Sequence, residues 1–285
     1  MLASIIGQIG HPFYLACAWL LAAFFALVPN YAIAIALLTL AVMIVTFPLT
    51  LRGTRGIMKM QLLAPEIKKL QARYKVLPGM GVAERQELRQ RQQQEMSALY
   101  RENDVSPAGG CLPMLLQFPV FIVLYGTIRG LVHRGVLKGT LAPDPLYISH
   151  GSKIYLAVQS AHGHLVSFGL NLADSLRTPG LGWDARLPFI AMILVAIALQ
   201  YVQMRQMNGR RPTAAAATPQ TQQLQQLQRV FPLVLAVIYV SIPAGVNLYF
   251  IVSSLFRIAQ QEVLYRRDPH IRASVEMLRA EAAPG

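Results

Sequence analysis

The first 51 residues contain no Asp, Glu, Lys or Arg. A typical soluble domain is about 25% charged, whereas this 285-residue chain is 14% charged and 54% hydrophobic. Such a chain is best accommodated in a bilayer. Apolar runs recur at roughly 31–51, 111–128, 187–204 and 246–264, with a shorter one at 230–243 that closes on Ser241-Ile242-Pro243-Ala244-Gly245. Crossing the hydrocarbon takes about 20 residues of helix, so the short run must begin upstream, near Leu227. The expected fold class is an all-α integral membrane protein with five transmembrane helices, at 31–51, 108–133, 187–205, 227–243 and 244–264. Residues 1–30 hold one more apolar stretch, Pro12 to Val28, which ends at Pro29-Asn30 directly against the next span. No basic residue precedes it to hold its start in the cytoplasm, so an interfacial helix is expected rather than a sixth span or a signal peptide.

Basic residues orient the chain. Segment 52–107 carries 11 Lys and Arg, 205–229 carries 4 and 257–285 carries 5, against 6 in 129–186. Positive residues favour the cytoplasm, which puts the N-terminus outside and the tail, 265–285, inside. The net charge of +13 follows from such loops, and no direct DNA binding is expected. Cys17 and Cys111 fall in apolar segments at opposite ends of the fold, so no disulfide is expected.

The polar segment 52–107 reads as a cytoplasmic helical hairpin. Pro65 suits a first helical turn and Glu66 the positive end of the helix dipole. Ile67, Leu70 and Tyr74 recur at helical spacing, Leu77-Pro78-Gly79-Met80-Gly81 turns the chain, and 83–103 returns. With so thin an apolar set the hairpin should be mobile. Met58, Met60, Ile67 and Leu70 would offer adaptable contact to varied apolar peptides. Residues 206–226 form a low-complexity cytoplasmic linker. The extracytoplasmic loop 134–186, rich in Gly, Pro and Ser, suggests no role.

Polar residues in the spans share one depth. At about 1.5 Å per residue, Thr46 lies about 9 Å inside the end marked by Arg52, Gln117 about 9 Å beyond Cys111 and Gln200 about 8 Å before Arg205. Arg257 lies about 12 Å from Tyr265 by the same rise. Thr39, Met43, Thr46 and Thr50 share one face of the first span, and Tyr249, Ser253 and Arg257 one face of the last. Helices polar in one half and dry in the other suggest a hydrophilic groove open to the cytoplasm, though Arg257 could instead snorkel to headgroups. No histidine and no central carboxylate lies in a span, and there is no phosphate-binding loop or metal-ligand cluster. Catalytic residues, a metal and a cofactor are therefore not expected, nor is a proton-coupled pump.

Four motifs in order then carry a resemblance. They are Phe47-Pro48-Leu49-Thr50 with Met58-Lys59-Met60-Gln61-Leu62-Leu63-Ala64-Pro65-Glu66-Ile67; Gly109 to Tyr125, including Gln117-Phe118-Pro119; Pro243-Ala244-Gly245-Val246-Asn247-Leu248-Tyr249; and Ile251-Val252-Ser253-Ser254 with Gln260-Gln261. Over roughly 30–266 the chain resembles the YidC/Oxa family of membrane protein insertases. The resemblance implies a five-span core in the bacterial plasma membrane and a hairpin that receives nascent membrane proteins. It further implies a groove open to cytoplasm and lipid but sealed outside, working without enzymatic chemistry or nucleotide hydrolysis. The ribosome and the Sec secretion channel are further partners it would allow. Family members line the substrate path with a threonine on the first span and a tyrosine on the last, matching Thr39 and Tyr249. Their groove arginine, five residues before the proline matching Pro48, is Met43 here, so either Arg257 supplies the charge from another wall or the groove is merely polar and works by hydration and local bilayer thinning. The rival readings are a noncatalytic assembly chaperone and a small-molecule transporter.

Overall fold

The computed structural model describes residues 2–74, 79–103, 112–137, 140–209 and 234–267. The order is α1 (Leu2–Leu27), α2 (Tyr31–Leu62), α3 (Ala64–Arg73), α4 (Val82–Glu102), α5 (Leu112–Leu131), β1 (Arg134–Leu137), β2 (Thr140–Pro143), α6 (Lys153–Ser160), β3 (Val166–Ser167), β4 (Leu170–Asn171), α7 (Trp183–Gly209), α8 (234–241) and α9 (Ala244–Arg267). Two of these helices, over Tyr31–Leu51 and Trp183–Gln206, are long and apolar enough to cross a membrane by themselves. The stretches 108–111 and 227–233, most of the linker and the end of the tail lie outside the described residues.

Lipid-length apolar runs do not mark helix ends. α2 continues through Pro48 to Leu62, because passing from lipid to water removes no backbone hydrogen bond inside a helix. It stops just ahead of Pro65, which has no N–H to carry the helical ladder onward. α3 then restarts with that proline in its first turn, Glu66 near its start and Arg73 in its last turn. α7 likewise continues past 205 to Gly209.

The chain divides into two compact units. The first comprises Met1–Thr46, Gln117–Gln203 and Pro232–Ala259. Its buried apolar core takes Leu21 and Phe25 from α1, Ile35 and Leu38 from α2, Leu124 and Ile128 from α5, Phe189 and Ile193 from α7, and Val246 and Tyr249 from α9. Ala18, Leu21 and Phe25 give α1 one buried face, while Phe13, Trp19 and Leu27 stand exposed. Tyr14 stacks on Tyr147 at 5.4 Å, His11 meets the same ring edge-on, and Phe25 packs on Tyr31.

Gly245 sits at a close helix contact of this unit. A Cβ there would lie 3.3 Å from both Ile35 Cδ1 and Ile128 Cγ2 and 3.4 Å from the Leu172 carbonyl. The two methyl groups can yield, whereas the carbonyl is held by the Gly245 N–H at 2.9 Å. Gly245→Val is therefore expected to destabilise the protein by about 1–3 kcal/mol, read as a lower midpoint in denaturant.

The segment between α5 and α7 corrects the all-α expectation. β1 pairs antiparallel with β2, from Arg134↔Pro143 to Leu137↔Thr140, and β3 with β4, at Val166↔Asn171 and Ser167↔Leu170. α6 starts where the Ser152 hydroxyl accepts the Tyr155 N–H. Ile154, Tyr155, Val158, Leu165 and Leu172 are buried, so this loop has a core of its own. Burial, and then the Asp144 carboxylate accepting from its hydroxyl at 3.1 Å, push the Tyr155 pKa above its ordinary value. Strands of two to four residues carry too little periodicity to stand out in a sequence.

The second unit comprises Phe47–Leu116, Met204–Phe231 and Gln260–Gly285. Its α3–α4 hairpin turns at Gly79, which takes φ +98. Gly81 opens α4, which buries none of its residues. Across the hairpin the Tyr74 hydroxyl donates to the Glu95 carboxylate. That bond, ahead of a smaller desolvation contribution, raises the tyrosine's pKa. The exposed pairs Arg73–Glu95 at 3.8 Å and Arg91–Glu87 at 2.8 Å contribute little in water.

Candidate functional site

α2 and α9 begin side by side. Gly245 faces Ile35, and the N–H groups of Ala32, Ala244 and Gly245 all end on one segment, 167–174. With both helices rising 1.5 Å per residue in the same direction, Thr39 stands level with Tyr249, and Met43 with Ser253. In the second unit the same two helices are joined by Gln260 Nε2, which donates to Thr50 Oγ1 at 3.1 Å. That pair is 210 residues apart, the separation of Ile35 from Gly245. The depth reading is thereby refined: counted from the Gly245–Ile35 contact, Arg257 lies one helical turn or about 6 Å further along than the Met43/Ser253 level.

Burial divides the candidates by level. Thr39 and Tyr249 are 0% exposed, Met43 4% and Ser253 3%. Thr46, Gln200 and Arg257 are only half-buried. The Thr39/Tyr249 and Met43/Ser253 levels are thus packed, and access begins with Thr46 and Arg257. A groove wet up to Thr39 is not what this conformation contains.

Hydrogen bonding divides them again. The Thr39 hydroxyl donates to the Ile35 carbonyl at 2.7 Å, Thr46 to Val42 at 2.9 Å and Ser253 to Phe250 at 3.1 Å. These hydroxyls donate within their own helix. Of the candidates on α2 and α9, that leaves the Tyr249 hydroxyl and the Arg257 guanidinium. The Tyr249 hydroxyl is buried with no hydrogen-bond partner among the described residues. Arg257 has no carboxylate beside it among the described residues.

Tyr239 is the residue that sequence reasoning missed. Its ring packs on Phe250 at 5.1 Å, and its carbonyl accepts from Asn247 Nδ2 at 3.0 Å, so the turn between α8 and α9 fixes it beside Tyr249. Phe121 of α5 and Tyr249 complete the cluster around Phe250. Gln203 of α7 is buried. The side chains of Gln117, Met58 and Met60 lie outside the described residues, while Ile67 and Leu70 are half-buried on α3.

The match to the family model described as "60Kd inner membrane protein" runs over residues 23–271. This chain belongs to that family. Its relatives include the membrane protein insertase YidC of Pasteurella multocida, 29% identical over 87% of this chain and 36% of that protein. YidC of Streptomyces avermitilis is 29% identical over 84% and 52%. The chloroplastic inner membrane protein ALBINO3 of Arabidopsis thaliana is 31% identical over 82% and 46%. The chain thus spans between about a third and a half of the length of these relatives. A crystal structure of an active YidC insertase with its first transmembrane domain resolved superposes with a TM-score of 0.50 at 19% identity. It covers 92% of this chain and 47% of that one. That likeness concerns the fold: a mostly helical membrane protein of the YidC type.

Proposed function

We propose that this chain is a membrane protein insertase that moves nascent membrane proteins from the cytoplasm into the bilayer through a polar half-channel, without nucleotide hydrolysis. The observation that carries the reading is Arg257, a half-buried guanidinium on a span with no carboxylate beside it among the described residues. A charge at mid-membrane costs about 2.5–3.5 kcal/mol on insertion scales, so one held without a carboxylate suits an incoming acidic group. The groove between α2 and α9 is then entered at Thr46 and Arg257, with Gln117 and Gln200 on its other walls. The Met43/Ser253 and Thr39/Tyr249 levels part as a substrate's polar flank advances. Its apolar segment slides sideways into lipid, and that burial drives the step. Arg257 takes the place of the arginine that family members carry at the position of Met43.

The topology that goes with this reading has five spans, the start of α2 outside and the end of α9 in the cytoplasm, in a bacterial plasma membrane. Ring contacts support α1 as a helix lying on the outer side. His11 meets the loop at Tyr147 and Phe25 meets the start of α2 at Tyr31, whereas a crossing helix would carry one of them about 21 Å away. The end of α2, with Met58 and Met60, and the α3–α4 hairpin, with Ile67 and Leu70, receive the nascent chain, from the ribosome or beside the Sec channel. Purified protein in liposomes, offered a newly synthesised single-span protein with a short polar tail, is expected to protect that tail from added protease. Binding of the client without protection would identify an assembly chaperone instead.

A further inference from the structure

The loop between α5 and α7 holds the starts of both groove walls with one short segment. The Ala32 N–H in the first turn of α2 donates to Ser167 Oγ at 3.2 Å, a buried bond. The first two N–H groups of α9 donate to the same segment, Ala244 to the Asp174 carbonyl at 2.7 Å and Gly245 to the Leu172 carbonyl at 2.9 Å. Helix N-termini need partners for such groups, and here two helices far apart in sequence draw them from eight consecutive residues.

That segment is stiff. Asn171 Oδ1 accepts from Leu165 N at 2.8 Å and Ala173 N at 3.3 Å, and its Nδ2 donates to Asp174 Oδ2 at 2.8 Å. Leu172 N donates to the Leu165 carbonyl at 3.0 Å. The turn joining β3 to β4 holds Phe168 at φ +52 beside Gly169 at φ +78. An aromatic residue is disfavoured in that left-handed region. The tight hairpin therefore overrides local preference to set Ser167 inward, where it is buried. Beneath it, Gly245, Ile35, Ile128 and the Leu172 carbonyl meet without a gap.

We propose that the β3–β4 hairpin is a clasp across the extracytoplasmic ends of the two groove walls, with Ser167 and Asn171 as its positioning residues. It keeps that end shut while the walls separate at the Arg257 level, so the groove opens about a fixed outer pivot. A membrane protein can then pass polar groups through the inner leaflet without leaking ions across the whole bilayer. The proposal rests on α2 and α9 being the groove walls.

The test is thiol labelling from outside. In a background lacking Cys17 and Cys111, a reporter cysteine replaces Thr39 just inside the seal, and intact vesicles receive a membrane-impermeant maleimide. The parent is expected to stay unlabelled from outside. Ser167→Ala with Asn171→Ala should label about tenfold faster, the order expected from losing one or two buried hydrogen bonds of closing free energy. Ser167→Thr, which keeps the hydroxyl, should label like the parent. Outside labelling at the parent rate in a folded double variant overturns the proposal. If the double variant does not fold, a short thiol crosslinker between cysteines at 32 and 167 replaces it. Insertion that survives crosslinking supports a fixed pivot, and insertion that stops overturns it. Labelling is read without a client, so a clasp that behaves as stated in a protein that inserts nothing would sink the insertase reading alone.

Discussion

Arg257→Ala is expected to lower the rate of tail insertion by about 10–100-fold, read as the initial rate of protease protection in liposomes. The factor follows from losing about 1.4–2.8 kcal/mol of the stabilisation of a charge passing mid-membrane. Because no carboxylate neutralises Arg257 among the described residues, its removal leaves no orphaned acid behind, and stability should change little. Acidic tails should suffer most, and neutral tails should be nearly indifferent. Arg257→Lys retains charge but not the fork of donors and should recover part of the rate. Met43→Arg in the Arg257→Ala background is the stricter test. Met43 is 4% exposed and one turn further from the open end, so an arginine there must force its way into a packed level. Rescue is therefore expected to be partial and accompanied by lost stability. Full activity of Arg257→Ala on acidic tails would end the charge-based account and leave hydration alone to lower the barrier.

Tyr249→Phe should separate stability from function in the opposite sense. The hydroxyl is buried without a partner among the described residues, and a buried polar group left unsatisfied costs about 1–3 kcal/mol. Removing it keeps the ring contact with Phe250 at 5.0 Å. The variant should resist denaturant better by about that cost and insert more slowly. That combination would mean the hydroxyl is held in reserve for a substrate's backbone. A less stable Tyr249→Phe would mean the hydroxyl already has a partner, and the Thr39/Tyr249 level would then be structural. Thr39→Val offers a control, because its hydroxyl is spent on the Ile35 carbonyl at 2.7 Å, so its loss should matter less to clients.

What could be read along the chain was what depends on one helix at a time. Pro65 and Gly79-Met80-Gly81 punctuate α3 and α4 through fixed local geometry, and they were legible for that reason. Thr39, Met43 and Thr46 share a face of α2 because 3.6 residues make a turn, whatever α2 packs against. Tyr239 was not legible, because nothing within α8 says that Asn247 will bond its carbonyl and turn its ring onto Phe250. The loop between α5 and α7 was not legible because Ile154, Val158, Leu165 and Leu172 are spread among turns and two-residue strands, without a period to read.

Apolar length and charge distribution by themselves determined that this is a helical membrane chain and where its polar residues lie along each helix. Those properties are local, set by a rise of about 1.5 Å per residue and by the cost of charge in lipid. Only the tertiary structure decided which polar residues face one another and which stay accessible. The level of α9 against α2 depends on bonds from Ser167, Leu172 and Asp174 to two helix ends, with Ser167 135 residues from Ala32 in the chain. A helix can slide along its neighbour without changing its own pattern of side chains, so the register that sets Thr39 beside Tyr249 and Arg257 a turn beyond Met43 belongs to the packing.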